Sequence, residues 1–341
     1  MMMTILTSPI IRTTITKSLQ LHRTIAATLS TSTLNTGTST TATPVKTMET
    51  VGIIGLGLMG HGIAQVSAQA LTTKHIIAYE MEDKYLKSGQ ERIQQSLNKL
   101  VTKGKMTSDD MSTIQNKITY TTDINQLQNT DLIIEAVIED MSLKQKLYTQ
   151  LSTVCQESTI FASNTSSLSI TEMSQYSNRV SQFVGVHFFN PVQIMKLVEI
   201  IQTPHTDPIV FQTVQQYVTD IKKTPVSCHD TPGFIVNRLL VPSLMQAMAM
   251  AGRHDATISD IDVSMNYGAG HPMGPLHLAD YIGLDTCYYI IQGWVEKYPN
   301  EPAFFIPDIL TTMIQNQHYG RKSGRGFYHW NGDTRGEPVE I

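Results

Sequence analysis

Residues 51–70 read VGIIGLGLMGHGIAQVSAQA, and the reading of that stretch decides the fold. Val51 to Ile54 is a short continuous apolar run, the pattern of a strand buried on both faces. Gly55, Gly57 and Gly60 then make G-x-G-x-x-G, after which Ile63, Ala64, Val66 and Ala70 suit a helix packed on a sheet. In a strand–turn–helix unit these glycines have separate tasks. Gly55 permits the tight turn, Gly57 lets the backbone approach a pyrophosphate, and Gly60 lets helix and strand pack closely, while the helix N-terminus meets the phosphate charge. The motif alone also fits a glycine-rich turn. Here the flanking elements and an acid ending the next apolar run, Glu80 in HIIAYE, supply the context of a dinucleotide site. A carboxylate there accepts from the adenosine ribose hydroxyls and repels a 2′-phosphate, which favours NAD over NADP.

Working outward, strand-like runs follow as KITYTT, DLIIEAV, TIFASN, QFVGVHFF and KLVEII, with helical segments between several of them. That alternation predicts an α/β, doubly wound, mostly parallel Rossmann-type sheet over residues 49–229. The connection at about 81–117 is too long for a simple crossover, and Ile93, Leu97 and Leu100 at helical spacing predict a helical hairpin inserted there. Near TPVSCHD the pattern changes. Asp230, Thr231 and Pro232 look like a helix start, and FIVNRLLVPSLMQAMAMA opens an all-α C-terminal domain expected over 230–330, with 331–341 as a tail. Residues 1–48 differ in kind. They hold Arg12, Lys17, Arg23 and Lys46, no Asp or Glu, and a Ser/Thr-rich tract, the composition of a mitochondrial transit peptide, with a disordered polar tail as the blander alternative.

The bulk numbers exclude several classes. An apolar content of 41% fits a globular protein able to bury a core, and a formal net charge of -4 gives no general reason to expect a nucleic-acid partner. No run of about 18 apolar residues occurs, so no membrane span is expected. Cys155, Cys228 and Cys287 are far apart without C-x-x-C spacing, which argues for a reducing compartment and against a structural metal site.

Chemistry concentrates beyond the later strands. Asn164, Thr165, Ser166 and Ser167 follow TIFAS, where an open α/β sheet binds ligands, although hydroxyls in such a loop are also ordinary turn formers. His187 ends the run FVGVH, and Glu199 interrupts the apolar run MKLVEII on the face it shares with Leu197 and Ile201. A carboxylate placed among hydrocarbon needs a partner. If the two strands lie side by side, His187 supplies one, and the pair has the composition of a general base and its orienting acid in alcohol oxidation. From pattern alone a purely structural pair is an equal alternative.

GLGLMGHGIAQ, EAVIED, FASNTSSLSIT, GVHFFNPV with MKLVEII, DTPGFIVNRLLVP, GAGHPMGP, DYIGLDT and RKSGRGFY together resemble the L-3-hydroxyacyl-CoA dehydrogenase family in its single-function mitochondrial form, from about Val51 to Tyr328. The resemblance implies NAD-dependent oxidation of (S)-3-hydroxyacyl-CoA to 3-oxoacyl-CoA in fatty acid β-oxidation. It also implies a mitochondrial matrix address and a homodimer built through the C-terminal helices. Carried over by position, the family's catalytic His and Glu fall on His187 and Glu199, its substrate- and cofactor-touching Ser on Ser166 and its helix-borne Asn on Asn237. Asn190, Glu139, Lys144 and Lys322 match cofactor-side positions, and Ser96 and Lys103 match contacts to the coenzyme A of the acyl-CoA substrate.

The chain departs from that pattern in places. Glu80 stands where the family usually has Asp, His61 replaces a small residue beside the pyrophosphate turn, and AQALTTKHII is longer and lacks the usual Gly. Two rivals stay open from sequence. A 3-hydroxyisobutyrate-type dehydrogenase also begins GLGLMG but uses a helix-borne catalytic Lys, and a non-catalytic NAD-binding protein would keep the fold alone.

Overall fold

A computed structural model describes residues 46–341. The expected transit segment therefore lies outside the described residues except for its last three positions. Those belong to the fold: Met48 is buried in the core under the sheet, and Lys46 pairs with Asp131 at 2.7 Å. The folded part thus starts a little ahead of the expected boundary at 49.

Eight strands form one sheet: β1 (Thr50–Ile54), β2 (His75–Tyr79), β3 (Ile118–Thr121), β4 (Leu132–Glu135), β5 (Ile160–Ser163), β6 (Phe183–Phe188), β7 (Leu197–Gln202) and β8 (Thr224–His229). Their order is β3-β2-β1-β4-β5-β6-β7-β8. All neighbours pair parallel except β6 and β7, which run antiparallel. The order reverses between β1 and β4, and in such sheets the crevice beyond that switch point receives the ligand. Helices α1 (Gly60–Ala68), α4 (Met141–Val154), α5 (Ile170–Ser174) and α6 (Pro208–Asp220) connect the strands. One face of the sheet buries Ile53, Ile63, Ile76 and Val186. The other buries Ile54, Tyr148, Phe161 and Phe183. Each fully buried aliphatic side chain contributes about 1.5–3 kcal/mol, which is why both faces read as apolar runs.

The expected hairpin is present as α2 (Asp83–Thr102) and α3 (Ser108–Asn116). Gly89, Ile93 and Leu97 of α2 are buried, about one residue per turn, with Leu86 and Leu100 packed partly buried beside them, and the opposite face of this 20-residue helix is exposed. Thr107 and Asp110 cap α3 reciprocally.

The C-terminal region is helical: α7 (Val236–Gly252), α8 (Ile258–Ala269), α9 (Pro275–Ile282), α10 (Leu284–Lys297) and α11 (Asp308–Gln315). Met245 and Met248 are fully buried in its core, whereas Met250 is partly exposed. Two readings need correction. The first helix starts at Val236 rather than at Asp230–Pro232, because Gly233 and Phe234 take positive φ angles of 74° and 55° and interrupt it. The final residues are not a loose tail: β9 (Tyr328–Asn331) and β10 (Thr334–Pro338) form an antiparallel hairpin. Buried Asp280 fastens it, accepting from the N–H groups of Phe327 and Tyr328 and from Trp330 Nε1, each at 2.9 Å. Among the described residues no helix is long and apolar enough to cross a membrane.

Candidate active site

The glycine turn has the shape its sequence implies. Gly55 has φ 87°, and a Cβ at Gly60 would fall inside the van der Waals shell of the Gly55 carbonyl oxygen. A Cβ at Gly57 would meet nothing within 4 Å, so the backbone there is open to an approaching group. The first turn of α1 carries no side-chain cap and no acid, which leaves its N–H groups and the positive end of the helix dipole available to an anion. Glu80, just past β2, accepts from the Leu56 N–H at 2.6 Å and so stands beside the turn. Leu58, Met81 and Ile138, on the loops after β1, β2 and β4, are exposed apolar side chains around the same crevice. Open glycine backbone, a free helix N-terminus, a strand-end carboxylate and apolar walls fit a dinucleotide.

His187 and Glu199 lie directly opposite each other in the β6–β7 ladder, and His187 Nδ1 is 2.7 Å from Glu199 Oε2. Glu199 is fully buried and His187 nearly so, which answers why a carboxylate interrupts an apolar strand. The histidine is not its only partner. The N–H groups of Ile235 and Val236, where α7 begins, donate to Glu199 Oε1 at 3.1 and 2.8 Å. Three donors and a helix N-terminus therefore converge on one carboxylate. The imidazole is flanked by Phe189 and Phe234, with ring centroids 4.5 and 5.7 Å away.

The next residue of α7 is Asn237, whose Nδ2 lies 3.4 Å from the carbonyl oxygen of Ser166, a long hydrogen bond. The Ser166 loop is held from below by Glu139, whose Oε1 accepts from the Thr165 hydroxyl and from the N–H groups of Ser166 (2.9 Å) and Ser167 (3.2 Å). Burial pushes the Glu139 pKa up, but the Lys144 charge and these hydrogen bonds outweigh it and leave it below the ordinary value. Asn164 Oδ1 accepts from the Phe188 N–H at 2.9 Å and ties the end of β5 to the residue after His187. His187, Glu199, Asn237, Ser166, Glu139 and Lys144 thus belong to one connected network.

Some expected positions fall elsewhere. Lys144 has no exposed side-chain surface; its ammonium is taken up by Glu135 (2.6 Å) and Glu139 (3.3 Å) behind the loop. It supports the cofactor crevice rather than facing it. Lys322 pairs with Asp285 at 2.5 Å within the helical region, and among the described residues no contact brings it to the crevice. Asn190 is exposed on the β6–β7 connection. Ser96 lies on α2 and Lys103 is the residue that caps its C-terminus, seven residues or about two helical turns further on. Glu135 went unnoticed in the sequence. It is fully buried at the end of β4 and accepts from Lys144, the Val137 N–H, Ser163 and Tyr148. The same signal that singles out Glu199, an acid closing an apolar run, marks it too.

Residues 50–231 match the family model of the 3-hydroxyacyl-CoA dehydrogenase NAD binding domain, and residues 233–330 that of the 3-hydroxyacyl-CoA dehydrogenase C-terminal domain. The mitochondrial hydroxyacyl-coenzyme A dehydrogenase of Rattus norvegicus is 42% identical over 286 residues, 82% of this chain and 90% of the rat protein. A probable 3-hydroxybutyryl-CoA dehydrogenase of Deinococcus radiodurans is 41% identical over 284 residues, 82% of this chain and 99% of its own. Among solved structures, (S)-3-hydroxybutyryl-CoA dehydrogenase from Ralstonia eutropha superposes with a TM-score of 0.80 at 35% identity, covering 83% of this chain and 99% of that one.

Proposed function

The chain belongs to the 3-hydroxyacyl-CoA dehydrogenase family and is an NAD-dependent oxidoreductase of hydroxyacyl-CoA, and from that premise we propose how its own residues carry the reaction. The 3-hydroxyl of an (S)-3-hydroxyacyl-CoA becomes a 3-oxo group by losing a hydride from carbon and a proton from oxygen. Bound NAD supplies the hydride acceptor. His187 Nε2 takes the proton.

The observation that carries this reading is the 2.7 Å contact of His187 Nδ1 with a carboxylate that two backbone N–H groups also hold in place. An ionised carboxylate only accepts, so Nδ1 carries the neutral ring's proton and Nε2 keeps its lone pair. When the ring takes a second proton, Glu199 already lies against the new charge. A base positioned in this way contributes about 10²–10⁴-fold to the rate. The Ser166 hydroxyl and the Asn237 amide, the latter bonded to the Ser166 carbonyl oxygen beside the dyad, hold the substrate oxygen. Ser96 and Lys103 take the coenzyme A, whose remote binding energy positions the reacting carbon.

In our reading the enzyme serves fatty acid β-oxidation in the mitochondrial matrix, supported by the mitochondrial name of the rat relative and by the acid-free, basic first 48 residues. It works as a homodimer through its helices, where Leu239, Val263, Tyr267, Tyr281, Ile282 and Tyr289 are exposed apolar side chains. The test is NADH consumption with acetoacetyl-CoA and longer 3-oxoacyl-CoA compounds, NADPH serving as control. His187→Ala should bind NADH nearly as well as the parent and lose about 10²–10⁴-fold in turnover. Equal turnover by that variant removes the general-base assignment.

A further inference from the structure

We propose that His61 is a ligand for the cofactor's pyrophosphate, and that cofactor binding takes up a proton at this ring. The inference rests on the reading that the dinucleotide lies on the Gly55–Gly60 turn. His61 is the second residue of α1. Helical side chains lean toward the N-terminus, so a side chain at this position covers the turn ahead of its own Cα, where a phosphate docks on a helix end. The ring does lie there, with Nδ1 2.6 Å from the carbonyl oxygen of Gly57. A carbonyl only accepts, so Nδ1 carries the proton and Nε2 of the neutral ring presents a lone pair. No hydrogen bond among the described residues reaches Nε2.

The surroundings are poor in negative charge. The charge acting on the ring is positive, that of Arg92 on α2. The loop after β6 brings Val192 and Gln193 against α1 at Gly62, and neither titrates. Glu80 is engaged with the Leu56 N–H, and the first turn of α1 contains no acid. In the free protein burial pushes the His61 pKa down, the Gly57 hydrogen bond pulls it up, and Arg92 pushes it down again, for a net lowering from 6.5. At neutral pH the free ring is therefore uncharged, and its lone pair would meet phosphate oxygens acceptor to acceptor. Protonating Nε2 converts that repulsion into a charge-assisted hydrogen bond. Ligand and proton consequently bind together.

Isothermal titration of NADH into the full-length protein at about pH 7, in two buffers of different ionisation heat, reads the proton count directly. The parent should take up a fraction of a proton that His61→Ala does not. Its NADH affinity should weaken between pH 6 and pH 8 by more than that of the variant, approaching tenfold for each unit by which the ring's pKa rises on binding. Adenosine, which has no phosphate, should give no difference between the two proteins. Equal proton uptake by parent and variant overturns the assignment of His61. Failure of NADH to bind either protein would instead overturn the reading of the glycine turn itself, and the inference with it.

Discussion

Glu199→Gln separates the role of the carboxylate's charge from the role of its shape. In the parent, two N–H groups from the start of α7 point at Oε1 and the His187 Nδ1–H points at Oε2, three donors on an acceptor-only group. Glutamine keeps the volume but offers one acceptor and one donor. With its oxygen toward α7, both backbone donors stay satisfied, and the amide NH₂ then faces Nδ1. The imidazole can answer by shifting its proton to Nε2, which keeps the buried contact while removing the lone pair that takes the substrate proton. With the amide reversed, its NH₂ opposes two backbone donors in a buried site, at about 1–3 kcal/mol for each group left unsatisfied. The first orientation therefore prevails, and the fold loses only about 1 kcal/mol. The rate loses about 10²–10⁴-fold in kcat, or roughly 3–5 kcal/mol of barrier. Reduction of a 3-oxo substrate suffers as well, because the doubly protonated ring then needed would point Nδ1–H at the amide NH₂. The assay is steady-state NADH oxidation with acetoacetyl-CoA, alongside NADH binding by fluorescence and urea unfolding. A kcat within threefold of the parent, in a variant that folds and binds NADH, refutes the orienting role of Glu199.

Lys103→Ala should raise KM for acetoacetyl-CoA several-fold at low salt with kcat nearly unchanged, and should hardly affect acetoacetyl-pantetheine, which has no nucleotide; an equal effect on both substrates removes Lys103 from the coenzyme A contact. Gly57→Ala should fold with unchanged or slightly higher stability, up to about 1 kcal/mol, while binding NADH far more weakly, because the open space at this position belongs to the ligand. Gly60→Ala should fail in folding itself, since its Cβ collides with the Gly55 backbone; urea midpoints and NADH titration of the two variants distinguish these outcomes. Lys144→Met should cost about 3–5 kcal/mol in urea unfolding, because it leaves the buried Glu135 and its neighbour Glu139 without a cation. A loss below 1 kcal/mol would show that the pair is not held as a buried charge.

The sheet was legible because its strands are continuous apolar runs and its helices have the 3.6-residue period, both of them local signals. Even the His187–Glu199 meeting follows from two adjacent strands and a short connection. What escaped reading depends on long-range placement. Asp230 looks like a helix start, but its carboxylate accepts from the Ser169 hydroxyl and the Thr171 N–H, both at 2.8 Å, and so caps α5 from 61 residues away in the chain. No local pattern announces that. The donors from Ile235 and Val236 are backbone groups with no side-chain signature at all. Lys144 matches the family position, yet the two acids that enclose it, Glu135 and Glu139, are brought to it by the fold. In the helical half, Gly326 of RKSGRGFY and Gly320 just before it are close-approach positions: a Cβ at Gly326 would collide with the buried Asp280 carboxylate and one at Gly320 with the Asp280 backbone.

The carboxylate that orients the imidazole takes two of its three donors from the far side of the junction between the two matched family regions. A chimera that keeps residues 50–231 and grafts a foreign helical module would therefore alter the electrostatic cradle of the proposed proton acceptor, even with every nucleotide contact preserved. Anyone recombining such modules to change acyl preference should place the crossover beyond Asn237, so that the capping peptide travels with the strand it serves.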